Sequence, residues 1–105
     1  MHLTNRVLIT ASIADKKALR YTPAGLPALD LGLHHESDVI EAQQPRKVVC
    51  DLRAVAIGPV AQQLDRALIG APLQITGFLG MGRSGRGIVL HITHFDSLSE
   101  SQHTF

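Results

Sequence analysis

The chain has 105 residues, 45% of them hydrophobic, so it is long enough for one small domain with a modest core. Its 10 basic and 9 acidic side chains leave a formal charge of +1, which excludes a strong overall field, so any anion-binding site must come from local clustering. The single cysteine, Cys50, excludes an internal disulfide and a cysteine-based zinc cluster and is typical of a reducing cytoplasm. Neither secretion nor membrane spanning is expected, because residues 1–17 lack a basic amino-terminal region and no apolar run approaches ~20 residues.

Two strands are predicted before residue 35. Over residues 6–13 the sequence RVLITASI alternates its apolar side chains between two faces, which predicts the first strand. A tight turn is predicted at residues 22–25, where TPAG places proline and glycine close together. The second strand is predicted over residues 28–34 with its leucines on one face, and Gly32 within it marks a bulge or a close backbone approach.

The middle of the chain is predicted to form a mobile loop, a third strand and one short helix. Residues 35–47 are polar with no sustained period, which predicts the loop, and they end in the basic pair Arg46 and Lys47. Residues 48–55, VVCDLRAV, alternate again and predict the third strand. Residues 60–68, VAQQLDRAL, follow a glycine-proline break and have apolar side chains at helical spacing, which predicts a short amphipathic helix.

Residues 73–95 are predicted to form a β-hairpin that contains the fourth and fifth strands. Both arms alternate apolar and other side chains with a period of two. The connecting GMGRSGRG, residues 80–87, contains four glycines, Arg83, Arg86 and no acidic residue, so it is expected to form a flexible, positively charged tip. An anionic group is the natural ligand of such a tip, although a merely solvated tip fits the loop equally well.

Five strands with one short helix between the third and the fourth is the order of the OB-fold. This fold is a small Greek-key barrel whose strand faces and loops commonly bind oligonucleotides. We therefore predict an all-β, five-stranded OB-fold domain over residues 1–98 and a flexible polar tail over residues 99–105. On the pattern alone, an unrelated β-barrel or the edge of a β-sandwich stays open.

Several blocks of the sequence resemble a known family. They are NRVLITASI, TPAGLPALDLGLHHES, the cysteine early in the third predicted strand, and ITGFL followed by a basic loop and IVLHITHFDSL. Together these blocks resemble primosomal replication protein N, the PriB family, which is related to the single-stranded DNA-binding protein SSB. The similarity runs over residues 5–98. It implies a homodimer of OB-folds that binds single-stranded DNA and works with the PriA helicase in restarting stalled replication, with no catalytic activity. Apart from the resemblance, we expect a cytoplasmic protein without a cofactor or a metal.

The DNA-contacting positions of that family are only partly kept in this sequence. Family members carry one aromatic side chain between the second and third strands and another just before the strand-three cysteine, and these positions correspond to Gln44 and Val49. The family's last loop has several lysines, whereas this chain has two arginines. A basic residue before the proline-glycine turn is kept as Arg20, and one after the second strand is replaced by Glu36. Because stacking on an aromatic ring is worth about 1–3 kcal/mol per base, we expect weak, salt-sensitive and sequence-tolerant binding.

Basic side chains along one side of the barrel and one aromatic ring are the predicted contacts to nucleic acid. These residues are Lys17, Arg20, Tyr21, Arg46, Lys47, Arg83 and Arg86. Arginine also stacks its planar guanidinium on bases, which compensates in part for the missing rings. A second hypothesis is a dimeric adaptor that contacts replication proteins and has weak or lost DNA binding. Phosphate and stacking contacts do not recognise the 2′-hydroxyl, so RNA stays open as an alternative ligand to DNA. A tetramer also stays open as an alternative to the dimer.

Two further motifs resemble a cofactor site and a metal site, but the strands predicted around them do not fit either kind of site. Residues 80–85 match the GxGxxG string, yet a strand rather than a helix follows, so a dinucleotide site is not expected. His91 and His94 are three residues apart on a predicted strand and therefore point to opposite faces, which disfavours shared metal ligation. Both histidines are expected to be ordinary surface or satisfied residues.

The remaining polar and aromatic candidates have structural interpretations. Cys50 is expected to be a small core residue rather than a nucleophile. Asp30 and Asp51 lie on strand faces with Arg53 as an available partner, which favours a salt bridge within the sheet over acid-base catalysis. Phe78 fits a base platform, a dimer contact or a two-sided core, and core or dimer packing is favoured. No nucleophile-base pair can be assembled, so we expect a binding protein and not an enzyme.

Overall fold

A computed structural model describes residues 3–98 as one barrel with a helix at its side. The elements of this range are β1 (Val7–Lys16), β2 (Arg20–Tyr21), β3 (Pro27–Glu41), β4 (Gln44–Ile57), α1 (Pro59–Asp65), β5 (Pro72–Met81) and β6 (Ile88–Ser97). The predicted flexible tail, residues 99–105, lies outside the described residues, as do residues 1 and 2.

The sheet closes because β1 pairs with two different strands. The strand order is β1-β5-β6-β4-β3-β2, and an additional pairing of β1 with β3 joins the two sides of the sheet. Residues 7–12 of β1 pair antiparallel with β5, and residues 12–16 pair antiparallel with β3, with a register shift between Ile13 and Asp15. All pairings are antiparallel except that of β4 with β6. The predicted five-stranded barrel with one helix between the third and fourth long strands is confirmed, and the two-residue β2 is added to it.

The core comes from the alternating faces that the sequence predicts. The buried apolar side chains include Ala11, Ile13, Leu29, Leu31, Leu33, Leu73, Ile75, Leu90 and Ile92. Residues two apart on a strand point to the same face, so each long strand contributes one row to the interior. Helix α1 closes one side of the barrel with Ala61 and Leu64, both fully buried.

The predicted mobile loop over residues 35–47 is wrong. Strands β3 and β4 stay paired without a break from Ala28 opposite Ile57 to Glu41 opposite Gln44. A two-residue turn connects them, and both of its residues, Ala42 and Gln43, have positive φ angles of 53° and 65°. Beyond the barrel this hairpin has no core to face, so its side chains are mostly polar, its large apolar ones, Val39 and Ile40, are exposed, and the apolar alternation that marks a strand disappears. The backbone hydrogen bonds between the two strands hold it instead.

Helix α1 is shorter than predicted and ends through a tertiary contact. It spans Pro59–Asp65 rather than residues 60–68, and proline stands in its first turn after Gly58, which has a φ of 95°. The ammonium group of Lys16, on β1, donates hydrogen bonds of 2.8 Å and 2.6 Å to the carbonyl oxygens of Asp65 and Ala67. These contacts satisfy carbonyl groups that the helix end leaves unpaired. Within residues 3–98 no helix has the length and apolar character needed to cross a membrane.

Candidate nucleic-acid interface

A groove of about 620 Å³ lies on the outer face of the barrel, between β2 and the loop that joins β5 to β6. Five basic side chains line it: Lys17, Arg20, Arg53, Arg83 and Arg86. Asp30 is the one acidic side chain among the residues that line the groove. Exposed apolar surface accompanies the charges, because Tyr21, Met81 and Ile88 line the same groove and are 62%, 59% and 70% exposed. The groove therefore offers cations for phosphates and apolar or aromatic surface for bases.

The barrel topology brings together basic residues that are far apart in the sequence. Lys17 and Arg20 lie at the start of the chain near β2, whereas Arg83 and Arg86 belong to the loop that follows β5. Strands β3 and β4 form the floor between them and contribute Asp30 and Arg53. Five of the seven predicted contact residues line this groove, namely Lys17, Arg20, Tyr21, Arg83 and Arg86.

Arg53 is a groove residue that the sequence analysis did not assign to binding. Its position in β4 puts it on the outer face together with Val55, and the strand faces of an OB-fold are a common oligonucleotide site. That alternation was the available signal, but Arg53 was expected to pair with Asp30 or Asp51. The structure pairs Asp30 with Arg20 instead. Arg53 accordingly adds its charge to the groove.

Arg20 and Asp30 form a bidentate ion pair in the wall of the groove. The arginine Nε lies 2.6 Å from Oδ2 and its Nη2 lies 3.1 Å from Oδ1. Hydrogen bonding to Arg20 holds the pKa of Asp30 below its ordinary value against the opposing effect of partial burial, and the charges of Arg83 and Arg53 act in the same direction as Arg20. The same hydrogen bond raises the pKa of Arg20. Asp30 therefore fixes the arginine in place and offsets one positive charge, leaving a surplus of cations for phosphates.

Arg46 and Lys47 lie outside the groove, near the tip of the β3–β4 hairpin. Successive residues of a strand point to opposite faces, so the two side chains do not act on the same surface. The Nε of Arg46 is 2.7 Å from a carboxylate oxygen of Glu41, and the Nζ of Lys47 is 3.9 Å from one of Glu36. The structure therefore does not bring Arg46 and Lys47 into the groove with the other basic residues, and their contact with nucleic acid stays a prediction.

A histidine held between two carboxylates separates Lys47 from the groove. The Nδ1 of His34 lies 2.8 Å from Oδ1 of Asp51, and its Nε2 lies 2.8 Å from Oε2 of Glu36. The hydrogen bonds to Glu36 and Asp51 raise the pKa of His34, and the hydrogen bond to His34 lowers that of Glu36. Both ring nitrogens donate only when the imidazole is protonated. Even then, two carboxylates face one imidazolium, so this patch disfavours a phosphate.

The two family positions without aromatic side chains are exposed on the β3–β4 hairpin. Gln44 opens β4 next to the turn, and Val49 is 55% exposed. The aromatic rings lie elsewhere. Tyr21 lines the groove, and Phe78, 39% exposed, lies outside the core and stacks on His91, which also lines the groove. Of the two kinds of packing favoured for Phe78, the two-sided core is thus wrong, and the dimer contact stays a prediction.

No cofactor or catalytic geometry accompanies the groove within the part of the chain that the structure describes. Among residues 3–98 no three His, Cys, Asp or Glu side chains lie close enough to hold a metal ion together. The GxGxxG string at residues 80–85 covers the end of β5 and the following loop, and β6 comes next rather than a helix. Cys50 is half-buried on β4.

Comparison with known proteins identifies relatives over most of the chain. A family model described as another single-strand binding protein family matches residues 5–94. The replication restart protein PriB of Bordetella pertussis is 44% identical over 79 residues, which cover 75% of this chain and 74% of the relative. The same-named protein of Nitrosomonas europaea is 36% identical over 89 residues, 84% of this chain and 82% of the relative.

Solved structures of a PriB protein and of a single-stranded DNA binding protein resemble this barrel. The PriB protein of Ralstonia solanacearum matches with a TM-score of 0.83 and 33% identity over 90% of this chain and 98% of that one. The single-stranded DNA binding protein of Thermus aquaticus matches with a TM-score of 0.73 and 24% identity, over 94% of this chain and 52% of that one, and at this identity the likeness supports the fold alone. The chain therefore belongs to the single-strand binding protein family and, within it, to the replication restart protein PriB family.

Proposed function

We propose that this chain binds single-stranded DNA in the basic groove and serves, without catalysis, as a component of the machinery that restarts replication. The observation that carries this proposal is the juxtaposition of five basic side chains with exposed Tyr21, Met81 and Ile88 in one groove. A double helix hides the faces of its bases, whereas a single strand exposes them to apolar and aromatic side chains. The relatives of Bordetella pertussis and Nitrosomonas europaea, which are replication restart proteins, support the replication role.

Within the groove each class of side chain has a separate part. Lys17, Arg53, Arg83 and Arg86 contact phosphates, because they carry the positive charge that Asp30 does not offset. Arg20, held by Asp30, presents its guanidinium at a fixed place in the wall. Tyr21 stacks on a base.

Arg46 and Lys47 contribute less than the groove residues in this proposal. Their partners Glu41 and Glu36 compete with phosphates for the same positive groups. Surface ion pairs of this kind are worth little in themselves, so these residues add to binding mainly through long-range attraction.

A second candidate function is an adaptor that contacts replication proteins and binds DNA weakly or not at all. Gln44 and Val49, which are exposed at the positions where family members carry aromatic rings, favour it, and so do the carboxylates around His34.

For both candidate functions we propose that the chain forms a homodimer, works with the PriA helicase and acts in the cytoplasm. Exposed Leu8 and Leu79, at 59% and 45%, support the dimer because apolar surface of this kind is commonly covered by a partner.

Fluorescence anisotropy distinguishes the two functions. A labelled pyrimidine oligonucleotide is titrated with the protein at low salt and at near-physiological salt. Binding that weakens as salt rises supports the groove, because phosphate contacts release counterions. An absence of binding at low salt would overturn the DNA proposal and leave the adaptor.

A further inference from the structure

We propose that the stacked rings of Phe78 and His91 form a second base-stacking surface at the end of the groove opposite Tyr21. This inference rests on the proposed function and specifies where bases bind. The two ring centroids are 4.8 Å apart, and the ring planes differ by 7°. His91 lines the groove, and Phe78 supports it from the neighbouring strand while 39% of its own surface stays exposed.

The strand register places this pair in line with the rest of the groove floor. Phe78 on β5 is opposite His91 on β6, and His91 is beside Val55 on β4. Val55 is opposite Asp30 on β3, which holds Arg20 of β2. Because register partners in a sheet present their side chains on the same face, these residues form one row across the barrel. A strand of nucleic acid that follows this row passes from the Arg20–Asp30 pair to the stacked rings.

Two contacts and the absence of a side chain at Gly80 hold the His91 ring in place before any ligand arrives. Phe78 covers one side of it. Its Nε2–H donates a hydrogen bond of 3.2 Å to the carbonyl oxygen of Met81, at the end of β5. Gly80 leaves the space that the ring needs, because a Cβ at that position would lie 3.0 Å from Nε2 and 3.1 Å from Cδ2. A ring that is already fixed loses little conformational freedom when a base stacks on it.

The location of this pair suits a base rather than a phosphate. His91 is beside Val55, which is 7% exposed and apolar, while Arg83 and Arg86 belong to the loop that follows β5. Tyr21 lies on β2, three strand spacings from β6, or about 14 Å away. The groove thus has two separated rings, which take the place of the aromatic side chains absent at the family positions.

An abasic oligonucleotide tests the stack directly. Anisotropy is measured with a labelled thymidine oligomer and with one of the same length whose bases are replaced by abasic sites, so that only the phosphates remain. The wild type is expected to prefer the thymidine oligomer. His91→Gln keeps a polar side chain but no ring, and it is expected to lower affinity for the thymidine oligomer ~5- to ~150-fold with little change for the abasic one. His91→Phe keeps a ring and is expected to keep the preference.

A matched control and a fold check accompany these variants. His94→Gln removes a histidine from the same strand at an exposed position outside the groove lining, and it should leave both affinities unchanged. Phe78→Ala removes the support of the His91 ring and should act like His91→Gln. Thermal unfolding followed by circular dichroism verifies that each variant is folded. If Phe78→Ala is unfolded, the two His91 variants alone test the stacking surface.

The remaining outcomes distinguish a failure of the second stacking surface from a failure of the proposed function. If the wild type binds the thymidine oligomer and His91→Gln binds it equally well, the second stacking surface is wrong and the DNA-binding groove stands. The same holds if His91→Phe loses the preference as fully as His91→Gln, since the hydrogen bond to Met81 would then be what matters. If the wild type binds neither oligomer at low salt, the proposed function falls together with this inference.

Discussion

Charge removal from the loop between β5 and β6 is the most direct perturbation of the groove. Of its five basic side chains, Arg20 is offset by Asp30, which leaves four to neutralise phosphates. For a single strand each neutralised phosphate contributes about 0.7 to the slope of log affinity against log salt, so the wild-type slope is expected to be about −2.8. Affinity should then fall about 50-fold between ~50 mM and ~200 mM salt.

The double variant Arg83→Ala/Arg86→Ala removes half of that surplus. Its slope is expected to be about −1.4, and its affinity should fall only about sevenfold over the same range of salt. The assay is anisotropy with a labelled pyrimidine oligonucleotide at several salt concentrations. The matched control is Arg6→Ala/Arg66→Ala, which removes two exposed arginines that do not line the groove and should keep a slope near that of the wild type. A double groove variant with an unchanged slope would refute the assignment of these arginines to phosphates.

Three further predictions concern stability and its dependence on pH. Leu64→Ala deletes a fully buried side chain of α1 and is expected to lower the free energy of unfolding by about 2–5 kcal/mol, measured by urea denaturation, whereas an unchanged value would mean that α1 does not pack as described. The pKa of His34 is raised in the folded state, so its two ion pairs stabilise the fold fully below its ordinary pKa and this contribution is lost as the pH rises through the raised value. The thermal unfolding midpoint of His34→Gln should accordingly lie below that of the wild type at about pH 6 and approach it toward about pH 8. A difference between the two midpoints that grows as the pH rises would contradict this reasoning. The pKa of Asp30 is lowered, so Asp30→Asn should be less stable than the wild type at neutral pH. The difference should hold down to about pH 4, the ordinary pKa of an aspartate, and be lost as the pH falls further through the lowered value; a difference that stays unchanged below that value would exclude the ion pair as its cause.

The sequence by itself determined the barrel and most of its interior. Period-two alternation identified the inward rows of β1, β3, β5 and β6, because in a closed sheet one face meets the core and the other does not. Leu29, Leu31 and Leu33 illustrate this, since they were predicted to share one face of the strand and all three are buried. The same signal failed over residues 35–47, where the hairpin extends past the core and its pairing leaves no mark on the apolar pattern.

Among the basic residues predicted from the sequence, those of the loop between β5 and β6 line the groove, whereas those of the β3–β4 hairpin meet acidic side chains in the folded chain. Positive charge without acidic neighbours identified Arg83 and Arg86, and both line the groove. Arg46 and Lys47 looked equally basic, but Glu41 and Glu36 meet them across the hairpin, and the pairing of two strands cannot be read from either one alone.

Tertiary structure alone decided which distant residues share the groove. The Arg20–Asp30 pair depends on β2 joining the edge of β3, and the stack of Phe78 on His91 depends on the register of β5 against β6. Local composition fixes the period of a strand and hence its two faces, because that period is a property of the backbone. Which strand lies beside it, and in which register, follows from how the barrel closes around its core, and that closure is set by contacts between residues far apart in the chain.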